Sequence, residues 1–138
     1  MKLLLAIALT VLTAPAIAKG AAETKVVPVL KTDSNSFGQP IVFPQGEGQV
    51  AVSIYEIPVG AKLPVHKHPT PRVGYVLSGT IQVTNVDTGD AHTFHQGEAV
   101  LESVDSWHTG ANVGPGPLKL LVVDLQPKGA SEPTVFKK

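Results

Sequence analysis

The chain has 138 residues, 43% hydrophobic and 16% charged, with 11 basic against 11 acidic side chains and no cysteine. That length and apolar fraction suit a single domain with its own core, and they argue against disorder along the whole chain. Balanced charge offers no basic footprint for nucleic acid. The missing thiols exclude a disulfide framework, a thiolate metal site, a cysteine nucleophile and a lipid-modified cysteine.

Residues 1–18 differ from the rest. One charge, Lys2, precedes an apolar run from Leu3 to Ala14, and Ala16-Ile17-Ala18 ends it with small residues where a signal peptidase reads. This pattern reads as a secretory signal peptide cleaved after Ala18. A transmembrane anchor is the alternative, but about a dozen apolar residues fall short of the roughly 20 that span a bilayer. The expectation is a periplasmic or secreted protein starting at Lys19, with no membrane attachment after cleavage.

Residues 19–48 read as an N-terminal extension with edge strands. Lys25–Leu30 is one strand candidate, held to an edge by Pro28, and Ile41–Phe43 is a second. Short apolar runs separated by turn residues then follow over residues 49–127. They are Val50–Ile57, Val73–Leu77, Ile81–Val86, His92–His95, Ala99–Leu101 and Leu118–Leu125. Strands punctuated at this spacing indicate an all-β sandwich or barrel in one domain. Residues 128–138 form a polar tail, expected to fray.

Five histidines are present: His66, His68, His92, His95 and His108. On a strand, residues i and i+2 share a face. His66-Lys67-His68 can therefore aim two imidazoles at one point, as cis metal ligands require, although an isolated pair of this kind also suits a surface. His92 and His95 lie in a polar hairpin and read as surface residues.

The spacing around these histidines resembles the cupin superfamily. The first cupin motif places Gly, His-x-His, Glu and Gly at fixed intervals. Here it reads Gly60-AKLPV-His66-K-His68-PTP-Arg72-VGYVLS-Gly79. The second reads Gly97-EAVLE-Ser103-V-Asp105-SW-His108-TGA-Asn112, and the resemblance spans roughly Val50–Leu125. It implies a single jelly-roll barrel with a metal inside, held by His66, His68 and His108. The expected cofactor is one divalent metal ion, with Fe(II) favoured and Zn, Mn, Ni or Cu compatible with imidazole.

Three motif positions depart from the family pattern. Ser103 and Asp105 replace Pro and Gly in a turn, where aspartate tolerates left-handed backbone. Arg72 replaces the usual ligand glutamate, and a guanidinium has no lone pair to offer a cation. Either a three-histidine site survives, made more positive by Arg72, or Arg72 repels the metal and the barrel binds an anion or sugar alone. Arg72 could instead pair with Glu102 or Asp105. Glu102, if inward, could also supply the missing carboxylate ligand. Gly74 and Val76 share the Arg72 face, where small side chains would leave pocket space. Trp107 could wall the pocket mouth or anchor the core, and Asn112, on the His108 face, has a hydrogen-bonding role.

These residues point to an exported metal-binding protein for a small anionic molecule, with dioxygenase-like or lyase-like chemistry if it is an enzyme. In that case Arg72 would bind the substrate anion. A non-catalytic binding module is the alternative, and a homodimer is a further expectation.

Overall fold

A computed structural model describes residues 23–138 of the chain. The signal-peptide segment lies outside the described residues. Nine strands follow in order: β1 (Gly48–Ile57), β2 (His66–Lys67), β3 (Arg72–Ser78), β4 (Thr80–Asn85), β5 (Ala91–His95), β6 (Ala99–Leu101), β7 (His108–Asn112), β8 (Leu118–Pro127) and β9 (Val135–Phe136). Among the described residues there is no helix, and so none long and apolar enough to cross a membrane.

The strands form two antiparallel sheets, with orders β1-β8-β3-β6 and β5-β4-β7-β2-β9. This is the all-β sandwich expected from the turn spacing, in the jelly-roll form that the cupin resemblance implied. Its core lies between the sheets. β8 shows how the sequence builds it: in LKLLVVDLQP the inward parity carries Leu118, Leu120, Val122, Asp124 and Gln126, all buried. Val76 of β3, Val100 of β6, Ile57 of β1 and Ile81 and Val83 of β4 complete the aliphatic cluster.

The inner face changes character along the strands. On β3 the inward side chains run from Val76 through Gly74 to Arg72, and Val100 of β6 is followed by Glu102 just past the strand's end. One half of the interior is therefore aliphatic and the other carries charge. Gly74 leaves no pocket space, contrary to expectation. A Cβ there would lie 2.8 Å from Val100 Cγ1 and 3.3 Å from Leu120 Cδ1, so its neighbours already fill the gap.

The leader and the tail both depart from expectation. Lys25–Leu30 forms no strand and its apolar side chains are exposed, Val26 to 83%. Pro28 removes a backbone donor from this short run. Ile41–Phe43 is not a strand either. The preceding loop turns on Asn35, whose Oδ1 accepts from Phe37 N and Gln39 N, each at 3.0 Å. It then docks on β6 through Ser36 N to Leu101 O at 3.0 Å. The tail does not fray: β9 pairs with β2, His66 opposite Phe136 and Lys67 opposite Val135.

Candidate metal centre

Three loop-flanked segments bring the histidines together. His66 on β2 sits directly opposite His108 on β7. His68 follows β2 and is fixed by a parallel bridge to Val104, with Asp105 N donating to His68 O at 2.8 Å. Asp105 adopts φ of 52°, the left-handed conformation expected of it. The three ring centroids lie 4.5–4.9 Å apart. His66, His68 and His108 are 5%, 1% and 1% exposed.

The fourth member is Glu102. Its Oε2 lies 3.0 Å from His68 Nε2 and 3.1 Å from His108 Nε2. The donor atoms of His66, His68, Glu102 and His108 all lie within 4.8 Å of one another. Adjacent ligands on an octahedral ion with bonds of about 2.1 Å would stand about 3.0 Å apart. The donor set of three imidazoles and one carboxylate therefore fits a divalent cation in chemistry and spacing.

Backbone carbonyls orient all three rings. Nδ1 of His66 donates to Pro64 O at 2.7 Å, that of His68 to Pro133 O at 2.8 Å, and that of His108 to Ser106 O at 2.8 Å. A carbonyl can only accept, so each neutral ring keeps its proton on Nδ1 and turns a bare Nε2 inward. Burial pushes His66 down to about 4, against the Pro64 hydrogen bond and aided by repulsion from His108 and His68. Its imidazole is neutral, the form that binds metal. Burial alone would raise the Glu102 pKa. Positive charge at the facing His108 and His68 outweighs burial and holds it well below the usual carboxylate range; with both rings neutral, a bound cation would supply that charge.

Arg72 does not pair with Glu102, as one expectation had it. Its Nε donates to Asp124 Oδ1 at 2.6 Å, and both groups are buried. Arg72 and Asp124 are register partners across β3 and β8. On the other side Glu102 N donates to Arg72 O at 2.9 Å, so Asp124, Arg72 and Glu102 form one row across three strands. Glu102 is spent on the histidines, and the guanidinium turns to the carboxylate left over. Nη1 of Arg72 lies 3.3 Å from His68 Nε2, Nη2 donates to Thr134 Oγ1 at 3.2 Å, and Cζ stands 5.9 Å from the Tyr55 ring centroid. Burial works against the Arg72 charge, but Asp124 and Glu102 raise its pKa overall. The other suggested partner, Asp105, pairs with Lys67 at 3.0 Å instead. The pocket is thus less positive than a three-histidine site beside a free arginine.

A cavity of about 350 Å³ opens on the His66 and Arg72 side of the cluster. Thr134 joins these two at its polar end, while Tyr55, Ile57, Leu63, Pro64 and Phe136 contribute apolar walls. Trp107 neither walls this cavity nor enters the core. It is half-exposed, with Lys67 Nζ and Lys137 Nζ at 5.3 and 5.7 Å from its ring centroid. His92 and His95 are exposed, as expected. Asn112 hydrogen-bonds as expected: Nδ2 donates to the carbonyls of Ile57, Pro58 and Gly116, and Oδ1 accepts from Gly114 N.

Sequence reasoning missed Asp124, Pro133, Thr134 and Phe136. Asp124 was visible in principle, as a carboxylate at the inward parity of β8. The tail residues carried no periodic signal.

A family model described as cupin domain matches residues 53–124. The chain belongs to the cupin family. No curated protein matches the sequence. Among solved cupin-like structures, the protein BH2720 of Bacillus halodurans is 24% identical with a TM-score of 0.52 over 59% of this chain and 65% of its own. DMSP lyase DddQ from Ruegeria pomeroyi is 17% identical, TM-score 0.53, over 64% and 43%. Oxalate decarboxylase of Lactobacillus farciminis, solved with formate, is 23% identical, TM-score 0.54, over 63% and 26%. The chain spans less than two thirds of each of these proteins. At such identities the likeness is one of fold, and this cupin's own chemistry rests on its site.

Proposed function

We propose that this protein is an exported, mononuclear metal-binding cupin acting on a small anionic molecule, with His66, His68, His108 and Glu102 as the metal ligands. One observation carries the proposal. Three imidazoles fixed with bare Nε2 atoms inward surround a carboxylate oxygen at hydrogen-bond distance from two of them. Lone pairs cannot hydrogen-bond to a carboxylate, and a shared cation would satisfy all four groups at once. Glu102 takes the role that Arg72 cannot fill, approaching from the strand beside β3.

A divalent ion there supplies Lewis acidity and a charge that orients the bound anion. The chain's own residues do the rest. The carbonyls of Pro64, Pro133 and Ser106 hold the rings, Asp124 holds Arg72, and Arg72 with Thr134 forms the polar end of the cavity. The donor set suits Fe(II) first, with Zn, Mn, Ni and Cu also compatible. The fold shared with a lyase and a decarboxylase fits lyase-like chemistry as well as a dioxygenase-like reaction. Lys2, the apolar run and Ala16-Ile17-Ala18 support export. A homodimer is proposed too, because the outer side of β1 leaves Val50, Val52 and Ile54 more than half exposed.

Elemental analysis after metal loading tests the site. The wild-type protein is expected to hold about one ion per chain, and His66→Ala, His108→Ala and Glu102→Gln to hold far less. Full metal content in His108→Ala overturns the ligand set. Oxygen uptake with keto acids, diketones and catechols then separates an oxygenase from a binding module.

A further inference from the structure

We infer that the ligand of this site is a monoanion with an apolar body, its head against Arg72, His66 and Thr134 and its body between Tyr55, Leu63 and Phe136. The inference rests on the metal-binding proposal above and names the ligand class for it.

Two independent observations lead to it. The first is charge. Arg72 and Asp124 cancel as a buried pair, and Glu102 offsets half the charge of a divalent ion. A single positive charge would remain beside the cavity, which the cluster reaches through His66. A low-dielectric site with one uncompensated positive charge is satisfied by one negative charge, and a second would be buried without a partner. The second is shape and lining. At about 350 Å³ the cavity lies at the small end of ligand sites, and its polar groups gather at one end. Beyond Arg72, His66 and Thr134 the apolar lining is Ile54, Tyr55, Ile57, Leu63, Pro64 and Phe136, with Ile54 and Phe136 more than half exposed. Glu56, the other charged lining residue, is itself an anion and takes up Lys119 at 2.6 Å, so the lining offers no second cation to an anionic ligand beyond Arg72. A compact dianion would leave these walls facing nothing, whereas an aliphatic or aromatic carboxylate covers them.

The tail supplies one wall of the cavity. Phe136 is held opposite His66 by the β2–β9 pairing, and Lys137 N donates to Val65 O at 2.9 Å. The Phe136 ring centroid lies 6.2 Å from that of His66.

The test is calorimetric titration of zinc-loaded protein, its metal content measured first, with acetate, butanoate, hexanoate and succinate. Affinity is expected to rise by about fourfold for each methylene buried. Butanoate should bind at least about tenfold more tightly than succinate, whose far carboxylate would enter the apolar end. Phe136→Ala, at unchanged metal content, should flatten the dependence on chain length. Equal affinity for acetate and hexanoate, or succinate binding as well as butanoate, overturns the inference while leaving the metal site standing. A protein that takes up no zinc and no other divalent ion overturns the metal proposal and this inference with it.

Discussion

Arg72 occupies a motif position where cupins usually carry a ligand, and the surrounding residues hold it as a buried ion pair. Its charge is buried to 3% exposure and answered by Asp124 directly across the sheet. Removing one partner of such a pair strands the other, which costs about 3–5 kcal/mol. Asp124→Asn is therefore expected to lower the unfolding free energy of the metal-free protein by that amount in urea. Replacing both partners, Arg72→Met with Asp124→Leu, should recover most of the loss. A near-neutral Asp124→Asn would show that Glu102 or water carries the guanidinium charge instead. The convergence of His66, His68 and His108 was legible in the sequence because motif spacing encodes it. Asp124 was legible only by counting parity from Leu118. Glu102 was legible as a candidate ligand but its inward direction was not, because β6 is three residues long and both Val100 and Leu101 are buried, at 1% and 7% exposure. Alternation needs one wet face to reveal the inner one.

Corners and termini explain where the elements were and were not readable. β3 belongs to one sheet and β4 to the other, and Gly79 alone separates them. Its φ is +86°, and a Cβ there would lie 2.9 Å from both Leu118 Cα and Pro117 O. Gly89, in the β4–β5 turn, has φ of +82° but open space around it. Gly89→Ala should cost only the backbone strain, about 1–2 kcal/mol. Gly79→Ala should cost clearly more, because the β8 backbone must also shift. Thermal unfolding of both variants measures the difference, and equal losses would mean that the corner relaxes freely. Turns of this kind made the barrel strands visible, since glycine marks them. The tail had no such signal. β9 is two residues long, too short for any period, and it exists because β2 offers it an edge. The leader failed for the opposite reason: Lys25–Leu30 has strand-like composition but no sheet edge beside it.

The four-stranded sheet has two apolar faces, and only one is covered within the chain. On β8 the inward Leu118, Leu120 and Val122 are buried, while the outward Leu121, Val123 and Leu125 are half-buried. Beside them on β1, Val50, Val52 and Ile54 are exposed to 64%, 61% and 53%, and β1, ten residues long, pairs with β8 on one side only. A sheet apolar on both sides is normally covered on both, and a long apolar edge left open invites association. A two-fold axis over this face would bring identical apolar stripes together, since such an interface is self-complementary. Sedimentation equilibrium is expected to give a dimer, and Val52→Lys to weaken it by at least about tenfold through a charge at the centre of the contact. The same variant should keep its metal, because Val52 faces away from the cluster that β8 reaches through Asp124. A wild-type protein that stays monomeric at all concentrations would leave the outer face to a different partner and remove the dimer from the proposal. Loss of metal in a monomeric Val52→Lys would mean instead that the two faces of the sheet are coupled, so that association helps to hold the Asp124–Arg72–Glu102 row in place.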